Sequence, residues 1–219
     1  MEQSFIFVDL AGFTALTETH GDETGASLIE RFIRIVEASL EGDGRLVAGS
    51  GDAAFMVADT PEQALGVLAR LFSRADAETD FPALRAGLHH GEAAQRGDQF
   101  YGTAVNVAAR VAAYARGGQL LGTDVIAATA RERGMTVRPL GPVSLKNLRQ
   151  PLELFSVQIA SGAGFEVIDP VCRMRVVPER AAARLELGGE EYWFCSYECL
   201  ELFVKEGPAG PPPKSKASA

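Results

Sequence analysis

Residues 45–57, with the sequence RLVAGSGDAAFMV, constrain the fold more than any other part of the 219-residue chain. Two apolar arms flank a centre of small residues that holds one carboxylate, Asp52, and this pattern predicts an antiparallel β-hairpin. A hairpin alone is barely stable in water, so its apolar face needs further strands and a covering helix. The patterns on either side of the hairpin therefore determine the fold class.

The predicted elements around the hairpin alternate between strand and helix. Residues 4–10 predict a short β-strand, and apolar residues at helical spacing over 28–40 predict a long helix. A second helix begins at Pro61 with Thr60 as its N-cap, and residues 83–90 predict another strand. The order β-α-β-β-α-β is typical of an α+β domain with a ferredoxin-like, mainly antiparallel sheet that carries its helices on one face.

Length and composition favour one full domain followed by a smaller one. The chain is 47% hydrophobic and 23% charged, which is ordinary for a globular protein. The small residues of 161–165 predict a flexible linker, and residues 207–219, which lack any apolar period, predict a disordered tail. The expected units are a main domain of residues 1–160 and a C-terminal unit of residues 166–206.

Charge and hydropathy exclude two classes of partner. The formal net charge of −8 offers no broad cationic surface for a nucleic-acid backbone or an anionic membrane. The N-terminus lacks the basic segment of a secretory signal, and the sequence contains no run of about 18 apolar residues that could span a bilayer. We therefore expect a cytoplasmic protein with no membrane span and no nucleic-acid partner.

Two carboxylates are predicted to meet at one edge of the sheet. Asp9 ends the first strand, and Asp52 lies in the hairpin of the next two strands, which are neighbours in a β-α-β-β core. Two close acids repel each other unless a cation lies between them, and oxygen ligands without His or Cys favour Mg²⁺ or Mn²⁺. The alternative is local, with Asp9 capping the next helix and Asp52 serving the turn.

Two further features indicate a phosphate-bearing ligand. The loop AGFT, which includes Gly12, Phe13 and Thr14, leads into a helix and offers backbone N–H groups to a phosphate. In a later predicted helix, Asn106 and Arg110 stand four residues apart on an otherwise apolar surface. An Asn can orient a sugar ring, and an Arg can stabilise charge that develops on phosphorus. The alternative is an exposed Arg with an unrelated Asn nearby.

The cysteines are confined to the last quarter of the chain, at Cys172, Cys195 and Cys199. Their odd number argues against a closed set of disulfides, and their spacing favours either metal ligation or burial in a reducing compartment. Three thiolates suit a thiophilic ion such as Zn²⁺ or Cu⁺.

Five ordered segments resemble the catalytic domain of class III nucleotidyl cyclases. They are FVDLAGFTALTE, GSGDAAFMV, GLHHGEA, YGTAVNVAAR and LKNLRQPLELFSV, and they span roughly residues 4–158. Only the short RGDQF separates the third segment from the fourth, which is similar to the compact bacterial form of the family. The resemblance implies a palm-type cyclase sheet with helices.

The resemblance also implies a metal site and a reaction. Asp9 and Asp52 match the family's acids that bind two Mg²⁺ or Mn²⁺ ions, with the carbonyl of Leu10 assisting. The implied reaction is attack of the 3′-hydroxyl of a nucleoside triphosphate on its own α-phosphorus, with pyrophosphate leaving. The metal ions lower the pKa of the hydroxyl and neutralise the phosphates.

The resemblance also implies three site residues from the later part of the sequence. Asn106 matches the family's ribose-orienting asparagine, Arg110 its transition-state arginine, and Lys146 the lysine that contacts the triphosphate. Family members are dimers in which one chain supplies the acids and the other supplies the Asn and Arg. The resemblance therefore implies a homodimer with two equivalent sites.

Two positions depart from the family's pattern for base selection. Ala48 stands where the family has a purine-selecting lysine, and Gln99 stands where it has an aspartate. Gln99 still offers both a donor and an acceptor to a purine edge. We expect an adenylate cyclase that uses ATP in preference to GTP, with relaxed selection of the base.

The C-terminal unit resembles a YHS domain, a small metal-associated module, through its segments IDPVC and FCSYEC. If a helix begins near Ser196, the last two thiols converge, and the first comes across from a neighbouring hairpin. Every histidine of the chain lies in the predicted main domain, so the fourth metal ligand stays open between Asp169, Met174 and an exogenous group. The alternative is that the three thiols are buried for stability alone.

A second function class competes with the enzyme. The chain could be a catalytically inactive, cyclase-like regulator whose C-terminal unit senses a metal, and the departures at Ala48 and Gln99 favour that alternative. The enzyme, with metal at the C-terminal unit regulating it, is favoured by the complete set of Asp9, Asp52, Asn106 and Arg110.

Overall fold

The computed structural model describes residues 2–159 and 167–207 of the chain. The predicted linker at 161–165 and residues 208–219 of the predicted tail lie outside the described residues. The helices are α1 (Phe13–His20), α2 (Asp22–Leu40), α3 (Pro61–Ala77), α4 (Thr103–Tyr114), α5 (Asp124–Glu132) and α6 (Tyr197–Glu206). The strands are β1 (Glu2–Leu10), β2 (Arg45–Ser50), β3 (Ala53–Ala58), β4 (Leu84–Glu92), β5 (Ala94–Arg96), β6 (Gln99–Tyr101), β7 (Leu120–Gly122), β8 (Thr136–Val143), β9 (Leu152–Gln158), β10 (Val167–Ile168), β11 (Arg175–Val176), β12 (Ala183–Leu187) and β13 (Glu190–Phe194).

A seven-stranded sheet with the order β2-β3-β1-β4-β7-β9-β8 organises the first described range. Strand β1 is central and pairs antiparallel with both β3 and β4. The pairing of β4 with β7 is parallel, and the other pairings in this sheet are antiparallel. The predicted β-α-β-β-α-β core and its mainly antiparallel sheet are confirmed, and β7, β9 and β8 extend that core beyond β4.

Alternating side chains on β1 face two different helical layers. Ile6 and Val8 belong to the large apolar core that includes residues of α1, α2, α3 and α5. Phe5 belongs to a separate core formed with residues of α4. The prediction that the helices lie on one face is therefore wrong for α4, which covers the opposite face. Close approach explains its Ala-rich sequence, because a Cβ added at Gly87 on β4 would lie 2.1 Å from the backbone nitrogen of Ala112.

The long helix predicted over residues 28–40 is confirmed within α2, and a short helix, α1, precedes it across a break at Gly21. Gly21 has φ 84° and ψ 164°, so α1 ends just before it, at His20, and α2 starts just after it, at Asp22. A positive φ is readily available to Gly alone, which accounts for the position of the break. The break leaves the half-buried His20 as the last residue of a short helix. The sequence interpretation also did not include the short hairpin of β5 and β6.

The C-terminal described range packs directly on the main sheet domain. Phe194 and Phe203 of this range share one apolar core with residues of β1 and α3. Met174 forms an antiparallel bridge with Pro82, and Arg175 donates to the carbonyl oxygens of Ala75 and Phe81. No helix within the described residues is long and apolar enough to cross a bilayer.

Candidate active site and metal centre

The register of the sheet places Asp9 and Asp52 side by side at one end of β1. Asp9 is paired with Ala53 on β3, and Asp52 is the residue just before Ala53. The backbone N–H of Leu10 donates to the carbonyl of Asp52 over 3.0 Å, which holds the hairpin turn against the end of β1. The strand pairing thus brings together the three residues that the sequence assigned to one metal site.

A guanidinium group contacts Asp9 from the other neighbouring strand. Arg85 is paired with Asp9 on β4, and its Nη2 donates to Asp9 Oδ2 over 2.7 Å while its Nε donates to Oδ1. Both side chains are partly open to solvent, with 22% of Asp9 and 34% of Arg85 exposed. A carboxylate has about four lone-pair sites, so this pair leaves Asp9 able to bind a cation as well.

The two acids interact electrostatically with each other and with Arg85. Burial raises the pKa of Asp52 and the charge of Asp9 raises it further, although the backbone hydrogen bond of Asp52 and the charge of Arg85 oppose the shift. A cation between the carboxylates would favour their charged forms. Oxygen donors without nitrogen or sulfur suit Mg²⁺ or Mn²⁺, so the residues present fit the implied ions.

The loop between β1 and α1 is held in a conformation that requires glycine. Gly12 is the N-cap of α1 with φ 76°, and the N–H of Leu16 donates to its carbonyl. A Cβ added at Gly12 would lie 2.4 Å from Cγ of Arg173. The turn that carries Cys172 therefore rests on the predicted phosphate loop, beside the half-buried Phe13 and the exposed Thr14.

Asn106 and Arg110 lie on the exposed side of α4, away from its buried face. Within the described residues, no hydrogen bond or ion pair joins either side chain to Asp9 or Asp52. Within one chain, the Asn–Arg pair therefore makes no direct polar contact with the acids.

The residues predicted to read the base and hold the triphosphate are all exposed. Ala48 is on β2, the edge strand of the sheet, next to a bulge between Leu46 and Ala48. Gln99 begins β6, and Lys146 lies in the connection between β8 and β9. Their exposure leaves all three side chains accessible to a ligand or to a second subunit.

The three cysteines converge on one point together with a histidine of the main domain. Cys195 Sγ lies 3.3 Å from Cys172 Sγ and 3.7 Å from Cys199 Sγ. His20 Nε2 lies 3.6 Å from Cys195 Sγ and 3.7 Å from Cys199 Sγ. All four ligand atoms lie within 4.8 Å of one another, and the thiols are free. His20 therefore occupies the place that the sequence interpretation left open between Asp169, Met174 and an exogenous group.

Asp169 organises this cluster without being one of its converging ligands. Its Oδ1 accepts the N–H groups of Val171 and Cys172, and its Oδ2 accepts the N–H of Cys195 over 2.8 Å. One buried carboxylate thus fixes the two backbone turns that carry the first two thiols. Ser196 is the N-cap of α6 and accepts the N–H of Cys199, so the predicted helix start is confirmed.

The thiols share their protons unequally. Hydrogen bonds from Cys172 and Cys195 lower the pKa of Cys199, whereas hydrogen bonds to Cys172 and Cys199 raise the pKa of Cys195. A thiolate at Cys199 that is stabilised by two neighbouring thiols is a ready ligand for a soft or borderline cation.

The sequence analysis did not assign three residues of these sites. Arg85 was indistinguishable from any strand residue until the pairing with Asp9 was known. Arg173 had no assigned role, and only the fold brings its side chain against Gly12. His20 was assigned to the main domain, and the one local signal was Gly21, which ends the helix directly after it.

Comparison with known proteins relates the chain to adenylate cyclases. It is 31% identical over 156 residues to a pH-sensitive adenylate cyclase of Mycobacterium tuberculosis, which covers 69% of this chain and 39% of that protein. It is 29% identical over 164 residues to an adenylate cyclase of Glutamicibacter nicotianae, which covers 74% of this chain and 40% of that protein. The chain thus spans about two fifths of the length of the curated relatives it matches.

Solved cyclase structures share the fold. An adenylate cyclase of Trypanosoma brucei, solved in its monomeric state, superposes with a TM-score of 0.68 at 20% identity and covers 75% of this chain and 91% of that chain. An adenylyl cyclase from P. aeruginosa superposes with a TM-score of 0.60 at 17% identity, covering 74% of this chain and 95% of that chain. Residues 167–208 match the family model of the YHS domain. The resemblances to class III cyclases and to a YHS domain are therefore confirmed, as is the α+β fold.

Proposed function

We propose that this protein is a nucleotidyl cyclase that converts ATP, and GTP less readily, into a cyclic nucleotide and pyrophosphate. The observation that carries the proposal is the register that sets Asp9 and Asp52 together beside the glycine loop at Gly12. This is the arrangement that binding of two divalent cations and a triphosphate requires. The named relatives, which are adenylate cyclases, support the same activity.

The carboxylates of Asp9 and Asp52, with the carbonyl of Leu10, would hold two Mg²⁺ or Mn²⁺ ions. When bound, such ions supply Lewis-acid activation of the 3′-hydroxyl and charge neutralisation of the phosphates. The backbone N–H groups at Phe13 and Thr14, in the first turn of α1, would donate to phosphate oxygens.

The other half of the site is proposed to come from a second copy of the chain. Asn106 would orient the ribose, and Arg110 would stabilise the charge that develops on the transferred phosphorus. Lys146 would contact the triphosphate. The exposure of all three side chains, and the lack of a polar contact between Arg110 and the acids within one chain, support a homodimer.

Base preference is proposed to be weak. Ala48 has no polar group to select a purine, and Gln99 can donate to one ring position as well as accept from another. Loss of one selecting hydrogen bond typically costs about 1 kcal/mol, so ATP and GTP should differ by about tenfold or less.

The C-terminal thiols are proposed to bind a thiophilic cation, Zn²⁺ or Cu⁺, that regulates the enzyme. Free thiols at Cys172, Cys195 and Cys199 support a reducing compartment, and we propose the cytoplasm.

The test is incubation of the purified full chain with ATP or GTP and Mn²⁺, followed by chromatographic detection of the cyclic nucleotide. Asp52→Ala should reduce the rate by at least about 100-fold, since it removes an essential charge from the site. Glu37→Ala, an exposed change on the outer side of α2, is the matched control and should retain full activity. Absence of product from both nucleotides would favour the inactive regulator instead.

A further inference from the structure

We propose that His20 and the three thiols form one four-ligand site for a zinc-like cation, and that this ion fastens the C-terminal unit to the main domain. His20 is the last residue of α1, whereas Cys172, Cys195 and Cys199 belong to the C-terminal described range. The site therefore consists of ligands from two different parts of the fold. The inference rests on the proposed binding of a cation by the thiols, and it does not depend on cyclase activity.

Four of the six distances between the ligand atoms are close to the edges of a tetrahedral zinc site, and the other two, from Cys172 Sγ to Cys199 Sγ and to the His20 ring, are within 4.8 Å. Zn–S bonds of about 2.3 Å and Zn–N bonds of about 2.05 Å imply tetrahedral edges of about 3.8 Å between sulfurs and about 3.5 Å between sulfur and nitrogen. The observed sulfur separations are 3.3 Å and 3.7 Å, and the observed sulfur–nitrogen separations are 3.6 Å and 3.7 Å. Four donors of type Cys₃His at these distances complete a closed structural site with no open position.

The ligands are held in place before any ion binds. Asp169 fixes the backbone at Cys172 and Cys195, and Ser196 fixes the start of the helix that carries Cys199. On the other side of the site, the hydroxyl of Thr24 donates to the carbonyl of His20 over 2.9 Å, across the break between α1 and α2. Outer contacts of this kind orient ligands and raise metal affinity.

Contacts outside the ligand cluster also hold the C-terminal unit against the main domain. Arg175, whose side chain is 9% exposed, forms an ion pair with Asp76 at the end of α3 and donates to the carbonyl of Phe81 over 3.2 Å. Met174 bridges to Pro82 in the same region. These contacts keep His20 opposite the thiols, so binding of the ion requires no large rearrangement.

Zinc titration of the full chain tests the proposal, with a chromophoric chelator as competitor. The wild type should bind one Zn²⁺ per chain at this site. His20→Ala should weaken the affinity by at least about 100-fold, because loss of an outer-shell partner alone costs about 10-fold to 100-fold. His20→Cys should retain affinity within about tenfold, since Cys₄ is also a closed tetrahedral zinc site. His90→Ala is the matched control, because His90 contacts Ser4 instead of the thiols, and it should bind like the wild type.

Hydrogen exchange provides a second readout that does not depend on any variant folding. Zinc should slow amide exchange in α1 (Phe13–His20) as well as around Cys195, while α5 (Asp124–Glu132) should be unaffected. Absence of zinc binding by the wild type would overturn the proposal. Unchanged affinity in His20→Ala, or protection around Cys195 without protection in α1, would also overturn it by confining the ion to the C-terminal unit.

Discussion

Mixing two inactive variants tests whether the cyclase site is shared between subunits. Asp52→Ala removes an acid from the end of the sheet, and Arg110→Ala removes the cation from α4 of the same chain. If each site takes its acids from one subunit and its Arg from the other, a heterodimer of these variants has one site with both defects. Its second site contains neither defect.

The activity expected of each mixture follows from the symmetry of a two-fold dimer. Free exchange at equal concentrations gives about one half heterodimers, and each heterodimer has one intact site of two. The mixture should therefore show about one quarter of the wild-type activity per total protein. A chain that carries both Asp52→Ala and Arg110→Ala makes every heterodimer with wild type inactive. Adding it in equal amount should therefore halve the activity of the wild type.

The assay is cyclic-nucleotide formation with Mn²⁺ after co-expression of two differently tagged chains. Each variant alone should lose at least about 100-fold, and Glu37→Ala mixed with wild type should change nothing. A site contained within one chain gives a different result: no recovery in the first mixture and no inhibition in the second. That pair of results would refute the assignment of Arg110 to the partner's acids.

Further predictions concern stability. Burial raises the pKa of Asp52, so its charge destabilises the metal-free fold above the ordinary Asp pKa of about 3.9. Asp52→Asn should therefore raise the melting temperature at pH 7 by at most about 4 °C, with the gain disappearing below that pKa, as followed by circular dichroism. Arg175→Ala should lower the free energy of unfolding by about 3 kcal/mol in urea titrations, and by clearly less when Asp76→Ala is already present; equal losses would contradict their ion pair. Gly87→Ala should cost about 3 kcal/mol, because its Cβ would meet the backbone of Ala112, and a stable variant would contradict the close packing of α4.

The core of the fold was predictable because its signals are local. The hairpin of β2 and β3 and the capped start of α3 at Thr60 follow from periodicity and capping, which act over a few residues. The side on which α4 packs was not predictable in this way. A helix of Ala and Val has no polar face to mark its orientation, and the fit against Gly87 appears only when β4 lies beneath it.

The same distinction between local signals and tertiary contacts applies to the residues of the candidate site. Asp9 and Asp52 were predictable neighbours because adjacent strands carry them at matching ends. Arg85 and His20 were not, since the contacts of Arg85 with Asp9 and of His20 with Cys195 bridge 76 and 175 residues of sequence. No pattern within a short window encodes such contacts, so only the tertiary structure could identify them.

The geometry of α1 joins the two sites. At its first end, Gly12 begins the loop against the acids and lies under Arg173. At its last residue, His20 faces the thiols. Eight helical residues span only about 12 Å, so α1 is a short, direct connection between the two sites. An ion that fixes His20 therefore also restrains the loop that we assign to the phosphates. If zinc changes the affinity for nucleoside triphosphate through α1, then reciprocity requires the triphosphate to change the affinity for zinc by the same factor.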